Sequence, residues 1–242
     1  MTTFDNKYLL FVTSYEKTFY PHRTFRCTDK MRVVWHGHSC FEIDDGSVTV
    51  VVDPHDGKSI GIKPPSVSAD YVLVTHEHYD HSAVNAVRGN HKDFVGTTGK
   101  CPCGSIEAEG LPSFHDGEDG RRRGRNVIYR IVAEDIVICH CGDLGAAPPQ
   151  DIIDRMRGCD MLMVPAGEVY TMDIPEIAAL IEAVDPKVII PMHYHASGLS
   201  IPLRTLERFT ETVRERTTYI GQEMDISKDE LPSSRECWIF SR

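Results

Sequence analysis

The chain has 242 residues and a formal net charge of −10, with 36 acidic residues against 26 lysines and arginines. Its 41% of hydrophobic and 26% of charged residues are typical of a folded globular protein, which excludes a wholly disordered chain. The acidic balance disfavours binding to long nucleic acids or anionic membranes, because both carry negative charge themselves. The 12 histidines are the leading observation, since imidazole is the commonest metal ligand in proteins.

A cytoplasmic location without membrane contact is expected. The first residues show neither the basic start nor the apolar stretch of a secretory signal, and no apolar run approaches the roughly 18–20 residues that span a bilayer. The 8 cysteines are expected to be reduced thiols. The pairs Cys101/Cys103 and Cys139/Cys141 leave open a second, structural metal site, but zinc sites usually use a CxxC spacing, so buried thiols on strands are favoured.

We predict one domain over residues 31–242, preceded by an N-terminal extension, residues 1–30, that packs on it. Short apolar and β-branched runs, some bounded by turn residues, predict the strands. These runs are residues 32–35, 40–43, 48–52, 71–75, 126–133, 135–139, 161–164 and 187–190. The segment 107–125 holds four glycines and many charges, which predicts a loop.

Three helices are predicted in the second half of the chain. Residues 150–157 form a short one, and residues 199–216 carry apolar residues at helical spacing. The middle helix has the clearest signals, because Asp173 and Glu176 form a capping-box pattern around Pro175 and the pair Asp185-Pro186 stops the helix. Strands followed by strand–helix–strand units predict a layered α/β protein whose sheets are covered by helices.

Four potential metal ligands lie within six residues, directly after the predicted strand 71–75. They are His76, His78, Asp80 and His81. Burying such a group unpaired would incur desolvation and like-charge repulsion, so a bound cation explains it better. One catalytic metal takes about three protein ligands and a water, so this segment predicts two metals that need further ligands from elsewhere.

Three further candidate ligands occur later in the chain. Asp143 and His193 follow the predicted strands 135–139 and 187–190, and His115 follows a short strand-like run within the segment 107–125. Gly142 and Gly145 flank Asp143 and permit close approach of the backbone. The carboxyl ends of strands are the usual place for an active site in an α/β protein.

The combined motifs resemble the metallo-β-lactamase superfamily. The resemblance is carried by HxHxDH at residues 76–81, followed by His115, Gly142-Asp143 and His193. It implies a four-layer αββα sandwich, two mixed β-sheets flanked by helices, with a two-metal hydrolase site at one edge. The segments WHGHSCF (35–41), RGRN (123–126), HCGDLG (140–145) and PMHY (191–194) are similar to the branch containing L-ascorbate-6-phosphate lactonase.

The resemblance also implies how two divalent ions would be held. The ligands of the first ion would be His76, His78 and His115. Those of the second would be Asp80, His81 and His193, with Asp143 bridging both ions. Five imidazoles and two carboxylates suit Zn²⁺ best, with Mn²⁺, Fe²⁺ or Ni²⁺ as alternatives. Two such ions can share a hydroxide that attacks the substrate, and Asp80 and Asp143 are the predicted catalytic residues.

Three residues are expected around these ligands. Asp53 would accept a hydrogen bond from a ligand histidine, with an Asx turn before Pro54 as the structural alternative. His140 would lie behind the ligands or line the pocket, with a buried structural histidine as the alternative. His38 would line the substrate pocket or stabilise a turn.

Substrate contacts are predicted from two further positions. A basic segment, residues 121–125, follows His115 in this acidic chain. A guanidinium group suits phosphate or carboxylate, so Arg123 is a candidate for binding an anionic substrate, with a solvated loop as the alternative. Tyr194 directly follows His193 and is the second candidate.

The sequence therefore predicts a metal-dependent hydrolase that acts on a small, anionic lactone, phosphoester or amide. A mononuclear iron dioxygenase of the same fold is one alternative, because it keeps the same histidine motif. A nucleic-acid-processing metallohydrolase is the other, and the charge of −10 disfavours it. Substrate identity and oligomeric state, including a homo-oligomer, are left open.

Overall fold

The computed structural model describes residues 30–241. The predicted N-terminal extension, residues 1–30, thus lies outside the described residues except for Lys30. Within the described part of the chain, no helix is long and apolar enough to cross a bilayer.

Strands make up most of the regular structure between residues 30 and 241. They are β1 (Met31–Gly37), β2 (Cys40–Asp44), β3 (Thr49–Val52), β4 (Tyr71–Val74), β5 (Lys92–Val95), β6 (Gly99–Cys103), β7 (Ile106–Phe114), β8 (Arg125–Ala133), β9 (Ile136–His140), β10 (Met161–Pro165), β11 (Val188–Met192), β12 (Arg216–Ile220), β13 (Glu223–Ile226) and β14 (Glu236–Phe240). The α-helices are α1 (Gln150–Met156), α2 (Ile174–Val184) and α3 (Glu207–Thr212). Two short 3₁₀ helices cover Val84–Ala86 and Lys228–Glu230.

The strands form two mixed sheets. The first has the order β13-β1-β2-β3-β4-β5, in which β3, β4 and β5 run parallel and the other neighbours antiparallel. The second has the order β12-β14-β11-β10-β9-β8-β7-β6, with its parallel half from β12 to β9. The predicted α/β fold with two mixed sheets and flanking helices is therefore confirmed.

One hydrophobic core joins the two sheets. Its buried side chains include Phe41 and Leu73 of the first sheet and Ile128 and Ile189 of the second. The opposite face of the first sheet is covered by a smaller cluster in which loop residues Val67, Ala69 and Val87 contribute. Helix α2 packs on β10 of the second sheet and against α1 and α3. The sheets thus lie face to face, and their strand ends share one edge.

Helix α2 forms where the sequence predicts it. The Asp173 side chain accepts the Glu176 backbone N–H at 2.9 Å, and the Glu176 side chain accepts the Asp173 backbone N–H at 3.1 Å. This capping box satisfies donors that the first turn of a helix leaves unpaired. At the other end, Asp185 adopts a left-handed conformation (φ 54°) before Pro186.

Two predictions about elements were wrong. The predicted helix 199–216 is helical only over Glu207–Thr212, because Pro202 interrupts it and Leu199, Ile201 and Leu203 instead pack on Ile60 as an irregular segment. The predicted loop 107–125 begins as strand β7, which pairs with β6 and β8 along most of its length. Its alternating buried and exposed residues are a strand pattern that the glycines and charges obscured.

Candidate metal centre

The histidine-rich segment begins immediately after β4 ends at Val74. Its turn is closed by backbone bonds from His81 and Ser82 to the carbonyl of His78, both 3.0 Å long. The imidazoles of His76 and His78 meet His115, which follows β7, and potential ligand atoms of the three lie within 4.8 Å of one another. This is the set expected for the first metal.

A second group lies beside the first. Potential ligand atoms of His38, Asp80, His81 and His193 also lie within 4.8 Å of one another, and all four residues are buried. Three of them are the expected ligands of the second metal. His38, expected at the substrate pocket or in a turn, is the added member.

Asp143 stands between the two groups and is only 3% exposed. Its Oδ2 lies 3.2 Å from His115 Nε2, 3.7 Å from His76 Nε2 and 3.1 Å from His193 Nε2. Its Oδ1 lies 3.2 Å from His81 Nε2. One carboxylate therefore faces imidazoles from both groups, which is the position expected of a bridging ligand.

The loop after β9 places Asp143 by close backbone packing. Gly142 has a φ of 56°, and a Cβ there would lie 2.4 Å from Asn126 Oδ1 and 2.7 Å from Thr75 Oγ1. Asn126 in turn accepts the Asp143 backbone N–H at 3.1 Å and donates to the Cys141 carbonyl at 2.9 Å. A side chain at residue 142 would displace the contacts that hold Asp143.

Asp53 orients two of the histidines expected to bind metal. Its carboxylate accepts the His81 Nδ1–H at 2.9 Å and the Thr75 hydroxyl at 2.8 Å, and Thr75 Oγ1 lies 2.9 Å from His76 Nδ1. Both histidines thereby direct Nε2 at Asp143. This is the contact expected of Asp53, and it fixes the tautomer that a metal ligand requires.

His140 is buried beside the loop that carries Asp143. Its Nε2 donates to the Ser39 carbonyl at 2.9 Å, and its Nδ1 accepts the Gly142 backbone N–H at 3.2 Å. Both ring nitrogens are therefore used by the backbone. The ring supports the loop that carries Asp143 and has no free nitrogen for a metal.

The electrostatics of the cluster favour a bound cation. Burial, reinforced by His81, lowers the pKa of His76 to about 3, so its imidazole is neutral. Burial alone would raise the pKa of Asp143, but His193 and His81 bring it well below the ordinary value. Burial likewise opposes the charge on His81, yet the carboxylates of Asp143, Asp53 and Asp80 raise its pKa well above normal. The carboxylates are thus ionised, as metal ligands must be, and a bound cation would displace the proton that the same carboxylates hold on His81.

The residues present fit bound divalent metal. Nε2 of His76, Nε2 of His81 and Oδ1 of Asp143 are buried without a hydrogen-bond partner in the structure of residues 30–241, because the 3.2 Å contact between the last two atoms lacks hydrogen-bond geometry. Buried polar atoms normally have partners, so unpartnered atoms that converge on one point indicate a missing ligand. Imidazole nitrogen and carboxylate oxygen are donors that zinc and neighbouring transition metals accept.

The two residues predicted to contact substrate, Tyr194 and Arg123, have different environments. Tyr194 is 8% exposed, its ring stacks on Trp35 at 5.9 Å, and its hydroxyl donates to the Phe240 carbonyl at 3.3 Å. Tyr194 therefore belongs to the core, and its expected substrate contact is corrected on that ground. Arg123 is exposed and lies over the Tyr170 ring, 4.2 Å from its centroid.

A cavity of about 540 Å³ opens beside His115. It is lined by His115, Asp116, Gly117, Glu118, Arg122, Arg123, Gly145, Tyr170 and Thr171. The Asp116 carboxylate is occupied by four backbone N–H groups of residues 118–123, at 2.7–3.0 Å. Glu118 pairs with Arg122 at 2.5 Å, whereas Arg123 has no carboxylate partner among the described residues. Arg123 is thus the cation left for a ligand.

Sequence reasoning missed Asn126 and Thr75, which hold the ligands without binding metal. The available signal was a polar residue at the edge of an apolar strand: Asn126 near the start of β8, and Thr75 after β4. The CxC pairs contribute nothing to the centre, because their four thiols are buried and none joins a metal-binding group within residues 30–241.

The fold and the site together match one family. The family model for the β-lactamase superfamily domain matches residues 32–193. The chain therefore belongs to the metallo-β-lactamase superfamily.

Individual proteins that are similar to this chain are described as metal-dependent hydrolases. A UPF0173 metal-dependent hydrolase of Archaeoglobus fulgidus is 28% identical over 225 residues, covering 81% of this chain and 94% of the relative. A protein of the same description from Methanopyrus kandleri is 32% identical and covers 68% of this chain and 84% of the relative. The structure is also similar to a candidate Zn-dependent hydrolase of the metallo-β-lactamase superfamily from Thermotoga maritima. That match has a TM-score of 0.71 and 27% identity, over 87% of this chain and 98% of the other.

Proposed function

We propose that the protein is a metal-dependent hydrolase that uses two divalent ions to cleave a small anionic substrate. The observation that carries the proposal is the position of Asp143. Its carboxylate lies within 3.1–3.7 Å of four imidazole nitrogens that come from two separate ligand groups. When bound there, two ions would lower the pKa of a shared water and polarise the substrate oxygen under attack.

The anionic character of the substrate is inferred from Arg123. Its guanidinium lies in the cavity beside His115, stacked on Tyr170 and without a carboxylate partner among the described residues. A planar guanidinium can bind phosphate or carboxylate through two hydrogen bonds. Arg123 would therefore hold a charged group of the substrate while the bond to be cleaved lies near His115.

The protein's own residues divide the remaining tasks. Asp53 keeps His81 in one tautomer. Asp116 fixes the conformation of the loop that carries Arg123, because its carboxylate accepts hydrogen bonds from backbone N–H groups of that loop. Asp80 is the proposed group for guiding a proton to the leaving group, because its buried carboxylate lies between His38 and His81, 3.1 Å and 3.6 Å from their Nε2 atoms. A cavity of about 540 Å³ suits a small molecule such as a lactone, phosphoester or amide.

The test combines metal analysis with a substrate screen. Protein stripped of metal is reloaded with Zn²⁺, Mn²⁺, Fe²⁺ or Ni²⁺, and the bound ions are counted. Each form is then assayed on lactones, phosphodiesters and amides, in pairs with and without an anionic group. We expect two ions per chain and faster hydrolysis of the anionic member of each pair.

Asp143→Asn is the diagnostic variant, and His91→Asn is the matched control at a histidine outside both metal groups. Asp143→Asn should lose hydrolysis and at least one ion, whereas His91→Asn should keep both. Wild-type protein that binds no metal would overturn the proposal. Iron-loaded protein that consumes oxygen without hydrolysing any substrate would replace it with the dioxygenase alternative.

A further inference from the structure

We infer that His38 is a protein ligand of the second metal, in addition to Asp80, His81, His193 and Asp143. This inference rests on the two-metal centre proposed above. It assigns to His38 a role different from the pocket-lining or turn-stabilising role expected from the sequence.

The backbone at His38 is held in an unfavourable conformation that turns its side chain inward. His38 lies between β1 and β2 with a φ of 55°, in the left-handed region that non-glycine residues rarely occupy. Its carbonyl accepts the Trp35 indole N–H at 3.0 Å and the His193 backbone N–H at 3.4 Å. Such strain persists only where surrounding contacts enforce it, and it is concentrated at functional sites.

The His38 ring is enclosed by the ligands of the second metal. The residue is 2% exposed, and its ring centroid lies 4.5 Å from that of His193 and 5.1 Å from that of His81. Its Nε2 lies 3.1 Å from Asp80 Oδ2. His38 is not among the residues that line the substrate cavity, so contact with a substrate is not needed to explain its buried position.

The hydrogen-bonding state of His38 matches that of two expected ligands. In His115, His193 and His38 alike, Nε2 lies within 3.2 Å of a carboxylate oxygen while the buried Nδ1 has no partner among the described residues. His140 shows the contrasting structural pattern, with both nitrogens bonded to the backbone. By this criterion His38 belongs with the ligands.

The spacing of ligand atoms supports the same assignment. Two atoms that each bind one ion at about 2.1 Å stand roughly 3–3.5 Å apart when they are neighbours around it. The distance from His38 Nε2 to Asp80 Oδ2 is 3.1 Å, and that from His193 Nε2 to Asp143 Oδ2 is also 3.1 Å. His38 therefore stands at ligand spacing from Asp80, and its ligand atom also lies within 4.8 Å of those of His81 and His193.

Five protein ligands change which ions suit the second position. Structural zinc is almost always four-coordinate, whereas manganese, iron, cobalt and nickel accept six ligands readily. With His38 included, the second position would favour one of these ions over zinc, while the first position has fewer protein ligands. The two positions would then differ in their metal preference.

The test is a titration of metal-free protein with Co²⁺, followed by dialysis and visible absorption. His38→Asn is the main variant, because asparagine tolerates the left-handed region and keeps an N–H donor for Asp80. His91→Asn makes the same change outside the metal groups and is the control. His38→Gln is a second variant with a longer reach, and far-ultraviolet circular dichroism checks that each variant is folded.

The inference predicts two ions in wild-type protein and in His91→Asn. In His38→Asn one ion should bind as before, while the other binds more than about 100-fold more weakly with an altered absorption band. Loss of a partner that only orients a ligand costs about 10–100-fold. A smaller loss in both variants with an unchanged band would therefore overturn the inference and leave His38 as a partner that positions Asp80.

A second measurement uses wild-type protein alone, so it does not depend on how the variants fold. The di-cobalt form should show the weak absorption of five- or six-coordinate Co²⁺ at one of its positions. Intense, tetrahedral-type absorption at both positions would overturn the inference. Wild-type protein that binds fewer than two ions would instead contradict the two-metal proposal, and the inference with it.

Discussion

Arg123 is the residue that we expect to select anionic over neutral substrates. Arg123→Gln should leave both metals bound but lower kcat/KM for anionic substrates by about 10–100-fold, the worth of a hydrogen bond to a charged group. Steady-state kinetics on matched anionic and neutral substrates measures this. Arg121→Gln is the control, because that side chain is exposed and its nearest carboxylate, Asp119, is 3.9 Å away. Equal losses for both substrate types would contradict the assignment.

Gly142 is the residue whose lack of a side chain places Asp143. Gly142→Ala should destabilise the protein by about 3 kcal/mol and weaken metal binding, because its Cβ would collide with Asn126 and Thr75. Gly158→Ala is the matched control, since it also has a positive φ of 74° but no atom of the described residues within 4 Å of the added Cβ. It should cost about 1 kcal/mol. Urea unfolding with metal counting compares the two, and equal effects would contradict this account.

Residue patterns in the sequence identify the expected metal ligands more readily than the residues that position those ligands. The seven expected ligands stand out because histidine and aspartate cluster after apolar runs, and all seven converge in the structure. Asn126 and Thr75 escape notice because single polar residues at strand ends are common. Tyr194 shows the opposite failure, since adjacency to a ligand does not say which face of the chain a side chain occupies.

Among the strand pairs, β12 and β14 are stabilised in part by an ionised glutamate, Glu236. Glu236 accepts hydrogen bonds from Trp238 Nε1 and Thr218 Oγ1, both at 3.0 Å. The bond from Trp238, supported by Thr218 and Arg216, outweighs burial and lowers the pKa of Glu236. A carboxylate with a lowered pKa stabilises the fold above its unfolded pKa of about 4.3, and this contribution is lost as pH falls through the folded pKa.

Glu236→Gln should therefore reduce the free energy of unfolding by about 1 kcal/mol at pH 7. The difference between wild type and variant should stay constant down to about pH 5 and shrink below pH 4. Urea unfolding at a series of pH values measures it, with metal present in neither sample. A difference that grows as the pH falls would refute the proposed charge state.

Elements with local signals could be predicted, and those shaped by distant contacts could not. Helix α2 carries its own capping box and apolar stripe, so its bounds follow from the sequence. The segment 199–216 has apolar residues at similar spacing, but Pro202 and the packing of Ile201 on Ile60 override that pattern. Strand β7 was missed for a different reason. Its glycine and charged residues are locally unfavourable for a strand, but pairing with β6 and β8 stabilises it.

At the scale of the whole molecule, the metals should stabilise the fold. The expected ligands follow β4, β7, β9 and β11, which belong to different sheets, so bound ions would tie the two sheets together. An ion present at about 1,000 times its dissociation constant contributes about 4 kcal/mol. Chelation should therefore lower Tm by about 10 °C in a chain of this size, and added metal should restore it.

Differential scanning calorimetry measures this shift. Asp143→Asn should show a much smaller dependence on chelator, because it lacks the shared carboxylate. A Tm that is the same with and without chelator in wild-type protein would mean that no metal links the sheets. Any shift should be reversed by metal and not by salt alone.

The whole-molecule arrangement was predicted through family resemblance, since local patterns do not specify strand order. Strand β13 pairs with β1 almost 200 positions earlier in the chain, as in the register Met31 to Ile226, and no periodicity signals such a partner. The charge of −10 also gives little information about the site, because Arg123 lines the cavity of an acidic protein with no carboxylate partner among residues 30–241.

Anomalous scattering from crystals of the metal-loaded protein would locate the ions relative to Asp143. Data collected at the absorption edge of the loaded metal should show two peaks on either side of the Asp143 carboxylate. One should lie among His76, His78 and His115, and the other among Asp80, His81 and His193. A single peak, or peaks that do not contact Asp143, would contradict the two-metal centre.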